Sequence, residues 1–224
     1  MLIDSVRLAL ASRADPVRAA GTQAYMKSAM PYYGVRMPDI RLALRPIIDD
    51  VALPTFADWL DTIRALWDEA SYREERYAAL EVLGARRYQM FLNLDALALL
   101  EYLIVTGAWW DLVDDIAAHR VGALFRRFPA DMRPVLLAWS IGADHWLRRT
   151  SIICQIGLRS HTDTELLFTC IEPSLGERDF FLRKAIGWAL REYSKTAPDA
   201  VRAYVTEHAS QLSALSRKEA LRRL

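Results

Sequence analysis

The chain has 224 residues, 53% of them apolar, and a formal net charge of +1. That length and composition suffice for one large domain or a compact array with a real core. The near-neutral balance excludes a global polybasic signature for nucleic acid, and no apolar run reaches the ~18 residues of a membrane span. In chain order, helix signals appear throughout and strand signals hardly at all. Leu2–Arg13 has helical spacing. Asp15-Pro16 reads as an N-cap followed by proline at the first helical position, opening a helix to about Met30 that stops at Pro31. Tyr32–Pro38 reads as a loop, and Asp39–Asp50 as the next helix. Thr55 caps Phe56–Trp67, where Phe56, Trp59, Leu60, Ile63 and Trp67 repeat at helical spacing. Ser71 is expected to cap a helix ending near Val82 or Leu83, with Gly84 at its C-terminal end. Asp95 caps Ala96–Val105, and Gly107 separates that helix from the stretch beginning at Trp109. Pro129 and Pro134 flank a break and restart. Asp144 caps His145–Ile156, Thr162 or Asp163 caps the next helix, and Pro173–Gly176 is a turn. Phe180–Tyr193 is strongly helical, Thr196–Asp199 opens another helix, and Ser216 to Glu219 reads as a capping box opening the last.

These helices come in short pairs recurring at roughly 35–45 residues, the spacing of HEAT-like repeats. The residue identities do not repeat clearly, so the repeat is structural. The expected fold is therefore all-α: a HEAT-like helical solenoid with an extended concave face, built as a single domain over residues 1–224.

Several chemistries lack their sequence signs. There is no Gly-x-Gly, no phosphate-binding Walker loop and no Gly-x-Ser-x-Gly elbow. His119, His145, His161 and His208 show no metal-ligand spacing, so no metal or cofactor is expected. Cys154 and Cys170 also lack metal spacing and read as small buried hydrophobes of a reducing cytosol. Asp4 stands early in an N-terminus without a signal-peptide pattern, and the expected location is cytoplasmic. The basic residues are mostly arginine, the only lysines being Lys27, Lys184, Lys195 and Lys218. Arginine suits forked contacts to phosphate, although genome base composition produces the same bias.

Three aromatic and charged clusters stand out. In the first, Trp110 and Asp114 fall at i and i+4 on one helical face, while Val113 and Ile116 point elsewhere and can anchor the helix. An indole beside a carboxylate suits a cationic target; a core tryptophan followed by a solvated acidic patch would give the same pattern. The second is Asp144 to Arg149. The third is Phe180–Tyr193, where Lys184, Trp188 and Arg191 form one stripe at i, i+4 and i+7. Gly187, mid-helix beside Trp188, costs about 1 kcal/mol relative to alanine and leaves room for a ligand or another backbone. A packed tryptophan stripe with snorkelling cations is the alternative for this third cluster.

The segments Val105–Asp114, Trp146–Arg149 and Phe180–Tyr193 resemble the signature segments of the AlkD-like DNA alkylation repair glycosylases. The resemblance extends to Ala24–Lys27, Gly34–Pro38 and Leu212–Ala220, in order along nearly the whole chain. It implies a HEAT-like solenoid that excises cationic N3- and N7-alkylated purines from duplex DNA, as a monomer, with the lesion handled within the base stack. Matched motif by motif, it implies Asp114 as the catalytic aspartate, with Trp110 and Trp188 beside it. It places DNA contacts at Arg149, Arg191, Lys184, Tyr25, Lys27, Arg36, Phe180, Phe181, Arg217 and Lys218. Arg36 departs from the pattern, standing where family members can carry an uncharged polar residue. The other expectation is a non-catalytic HEAT-like module that binds DNA or protein; a mere binder has no need of a carboxylate facing phosphates.

Overall fold

The computed structural model describes residues 2–224, which contain helices and no strands. The chain divides into two compact units, one through Ala96 and the other Leu97–Leu224.

The first unit holds α1 (Leu2–Ala11), α2 (Pro16–Met26), α3 (Met37–Asp50), α4 (Phe56–Asp68) and α5 (Arg73–Leu83). Its core sets Val6 and Leu10 of α1 with Ile40 and Leu44 of α3 and with Trp59, Ile63 and Trp67 of α4, all fully buried or nearly so. The helix starts follow local chemistry. Asp15 accepts from the Arg18 N–H at 3.0 Å, and Thr55 forms a reciprocal capping box with Asp58. Other ends differ from expectation. α2 stops at Met26 rather than Met30, because Lys27 takes a left-handed conformation (φ 51°) and turns its N–H back to the carbonyls of Ala24 and Gln23. α5 begins after Tyr72, which gives no side-chain cap. Ser71 does not cap it; its own N–H donates to Glu75 at 3.4 Å.

The second unit begins with α6 (Leu97–Gly107), entered from the short 3₁₀ turn Leu94–Ala96. It continues with α7 (Trp110–Asp115), a π-helical turn (Ile116–Val121), α8 (Gly122–Arg127), α9 (Pro129–Ile141), α10 (His145–Ile153), α11 (Thr164–Ile171), α12 (Phe180–Ser194), α13 (Pro198–Glu207) and α14 (Ala214–Ala220). Ile152, Ile153, Leu167, Ile171, Leu182, Ile186, Leu190 and Val201 form its buried core, with Trp188 packed at the edge. Asp144, Asp163 and Asp179 each cap a helix through their side chains. Pro129 opens α9, but Pro134 lies inside that helix rather than restarting one; proline removes a single intrahelical N–H, and the helix continues through it. The last helix starts at Ser213, whose hydroxyl accepts from the Ser216 N–H at 3.0 Å. Ser216 is not the cap: it is buried within α14 and donates to the Arg183 carbonyl at 2.9 Å. Cys154 and Cys170 are buried free thiols, and burial pushes the Cys170 thiol up to about 11. Among the described residues no helix is long and apolar enough to cross a membrane.

Candidate active site

The turn into α7 places the first cluster. Gly107 stays helical as the buried last residue of α6, so the reversal falls on Ala108, a non-glycine residue in the left-handed region (φ 38°). Backbone strain of this kind persists only where the surroundings enforce it. Trp109 is the extended N-cap, and α7 follows with Leu112 and Val113 fully buried, as is Ile116 directly after it. That anchoring turns the half-buried Trp110 and Asp114 to the opposite side. Directly after Asp115 the helix widens into the π turn, a feature often found at functional sites. The end of α10 comes close to the start of α8: a Cβ at Gly122 would stand 2.4 Å from the carbonyl oxygen of Cys154, the C-cap of α10.

Arg149 of α10 meets Asp114 edge to edge. Its Nε donates to Oδ1 and its Nη2 to Oδ2, both at 2.7 Å, and Nη1 donates to the Phe181 carbonyl at 2.5 Å. The Arg149 side chain is only 5% exposed, while that of Asp114 keeps 17%. The arginine expected at a phosphate is thus the inner partner of the aspartate. A bidentate fork fixes both the rotation and the distance of the carboxylate. Burial pushes the Asp114 carboxyl above the usual aspartate range, against the opposing pull of Arg149, and neighbouring Asp111 adds to the rise.

Phe181 closes this region with aromatic contacts. Its ring lies 5.2 Å from Trp109 and 5.0 Å from Trp146, and Phe180 meets it edge-on at 5.5 Å. Phe181 therefore supports the site from the inside, whereas Phe180 is exposed. Trp109 and Trp146 belong to the first two sequence clusters, but spacing alone gave them no role; here they pack on Phe181.

On α12, Lys184, Trp188 and Arg191 share one stripe as spaced. Both cations point to one carboxylate: Glu219 of α14 accepts from Lys184 Nζ at 2.9 Å and from Arg191 Nη1. The gap at Gly187 is filled by α14, since a Cβ there would meet Glu219 Cβ at 2.5 Å and the Ser216 carbonyl at 3.0 Å. Glu219 was missed by sequence reading because its role depends on this close crossing. A different stripe of α12, with Ala189, Glu192 and Tyr193, lines a cavity of about 440 Å³; Trp110, Asp114 and Trp188 are not part of its wall.

The remaining candidates are surface residues. Arg217 and Lys218 are exposed on α14. In the first unit Tyr25, Lys27 and Arg36 are exposed, and Arg36 makes a long contact of 3.4 Å to Asp39. Among the described residues no group of three or more His, Cys, Asp or Glu could hold a metal ion.

The family model described as DNA alkylation repair enzyme matches residues 6–224. The chain belongs to that family. A solved structure described as a predicted DNA alkylation repair enzyme from Enterococcus faecalis is similar at 26% identity and a TM-score of 0.85, over 94% of this chain and 96% of the other. No curated protein matches the chain. The chain is thus an all-helical repeat protein of a DNA alkylation repair enzyme family.

Proposed function

We propose that this family member is a monofunctional DNA glycosylase that hydrolyses the N-glycosidic bond of cationic N3- and N7-alkylated purines in duplex DNA. The observation that carries the reading is Asp114: a buried, partly open carboxylate locked in place by the Arg149 fork. An alkylated purine of this kind already carries positive charge, so its departure needs no general acid and no cofactor. As the bond to C1′ breaks, its electron pair moves onto the ring nitrogen and neutralises the base. The sugar gains oxocarbenium character, which a fixed carboxylate stabilises. A water oxygen then bonds to C1′, and its proton passes to Asp114. Trp110 and Trp188 offer π-faces to the same developing charge. Lys184 is committed to Glu219, which favours hydrolysis over imine formation.

The exposed Tyr25, Lys27, Arg36, Phe180, Arg217 and Lys218 are suited to contact the DNA backbone, which positions without reading sequence. The lesion stays in the stack, and the protein works as a cytoplasmic monomer on nucleoid DNA. A helical module that only binds DNA or protein is the competing reading. It gives no use to a carboxylate kept partly open and held still by a guanidinium fork.

The test is release of free base, in single turnover, from duplexes carrying a small cationic, a bulky cationic or a neutral lesion. Both cationic bases should be released, and uracil or ethenoadenine should stay. Rapid loss of the neutral base reveals an acid. Failure on the bulky cation alone favours an enclosed base pocket. No release from any duplex leaves the binding module.

A further inference from the structure

Glu219 reaches back across Gly187 to two cations that flank Trp188 on α12. Its carboxylate is not on a movable strap. The missing side chain at Gly187 lets α14 press onto α12, and the Ser216 hydroxyl is tied to the Arg183 carbonyl. The backbone and Cβ of Glu219 are therefore set relative to α12 itself, and its carboxylate is held beyond them by the two cations. Lys184 beside it holds the Glu219 carboxyl below the usual glutamate range, with Arg191 and Arg222 acting in the same direction, so Glu219 stays ionised near neutrality.

Lys184, Arg191 and Glu219 together carry one net positive charge. A lysine ammonium has three donors and a guanidinium five, so donors remain after Glu219 takes one from each. Lys184 is 37% exposed and Arg191 19%, against 14% for Glu219. The cations thus lie nearer solvent than the carboxylate that holds them.

We propose that Glu219 is a positioning residue, which holds Lys184 and Arg191 as one preorganised seat for the DNA backbone beside Trp188; this rests on the DNA-binding reading above. Long cationic side chains lose much rotamer freedom when they grip a phosphate. Here that ordering is completed on folding. The opposite role, a carboxylate that occupies the phosphate seat and swings aside when DNA arrives, predicts tighter binding once the carboxylate charge is removed.

The experiment measures binding of undamaged duplex across a salt series. It compares wild type, Glu219→Gln, the Lys184→Ala/Arg191→Ala pair, and all three changes together. Glutamine keeps the bulk over Gly187 but has only one oxygen to offer two cations. The expected result is several-fold weaker binding by Glu219→Gln, despite its added positive charge, with a salt slope shallower by about one phosphate contact. In the Lys184→Ala/Arg191→Ala background the same change should cost nothing further. Equal weakening in both backgrounds makes Glu219 a merely structural residue and overturns the proposal. Tighter or unchanged binding by Glu219→Gln also overturns it, while leaving the glycosylase reading intact. Wild-type protein that fails to bind duplex removes the DNA reading and this role with it.

Discussion

Glu74 in the first unit and Asp114 in the second are both carboxylates raised above their usual range by burial, yet they are satisfied in different ways. Glu74 is 1% exposed and accepts from three successive backbone N–H groups, of Tyr33, Gly34 and Val35, at 2.9, 2.8 and 3.1 Å. It pins a loop that has few hydrogen bonds of its own. Gly34 helps there, with φ 84° and no room for a Cβ beside the Asp15 carbonyl. Asp114 is instead gripped along one edge by a guanidinium, which leaves its other lone pairs uncommitted. Backbone donors converging from a loop use a carboxylate up in holding that loop. A side-chain fork holds a carboxylate still and keeps part of it available for chemistry.

The sharpest way to break this contrast is to remove the fork. Arg149→Ala leaves the Asp114 charge buried and alone, and should cost about 3–5 kcal/mol of stability, read from the urea midpoint. Its salt slope for DNA binding should stay at the wild-type value, since the guanidinium is used internally. A shallower slope would show that Arg149 reaches phosphate after all.

Next comes Asp114→Asn, which keeps shape but loses charge. Single-turnover excision should fall by about 10²–10³-fold, the scale of other preorganised electrostatic groups. Affinity for undamaged duplex should hold. Wild-type excision by this variant would remove Asp114 from the chemistry.

Glu74→Gln should be a matter of stability alone. One of its two oxygens becomes a donor facing a backbone N–H, which should cost about 1–3 kcal/mol. The rate of the chemical step in folded protein should be unchanged; a large fall in that rate would erase the distinction between the two carboxylates.

The smallest effect is in pH. Both groups have folded-state values above their unfolded ones, so the folded state holds its protons longer. Their contribution to stability is fully present below the unfolded values of 3.8 for Asp114 and 4.5 for Glu74, and is lost as pH rises through the raised folded values. The urea midpoint should therefore fall with pH across that window, and Glu74→Gln should flatten the fall. Excision should show the reverse trend, rising with pH as Asp114 ionises, with an acid limb above the ordinary aspartate range. A limb at the ordinary value would mean that burial does not govern Asp114.

Much of the fold was legible because helix starts are local events. Asp15, Thr55, Asp144 and Asp163 cap the helices expected of them, since a side-chain oxygen need reach only two or three residues ahead. The shared face of Trp110 and Asp114 followed from helical spacing for the same reason. Misplaced ends arose where several residues could serve equally. Ser213 and Ser216 both suit a cap, and burial of Ser216 against α12 decided between them. The turn at Ala108, beside an available Gly107, was likewise set by packing of α6 rather than by residue preference.

By itself the sequence determined an all-helical chain, the faces of its helices, and the motifs that carry the resemblance to alkylation repair glycosylases. Tertiary structure alone decided which charges meet. Arg149 lies 35 residues from Asp114, and Glu219 lies 35 from Lys184 and 28 from Arg191. No local rule pairs them. An arginine reads the same in sequence whether it faces phosphate or aspartate, because the choice depends on how closely two helices cross, and at α12 that distance was set by the side chain that Gly187 lacks.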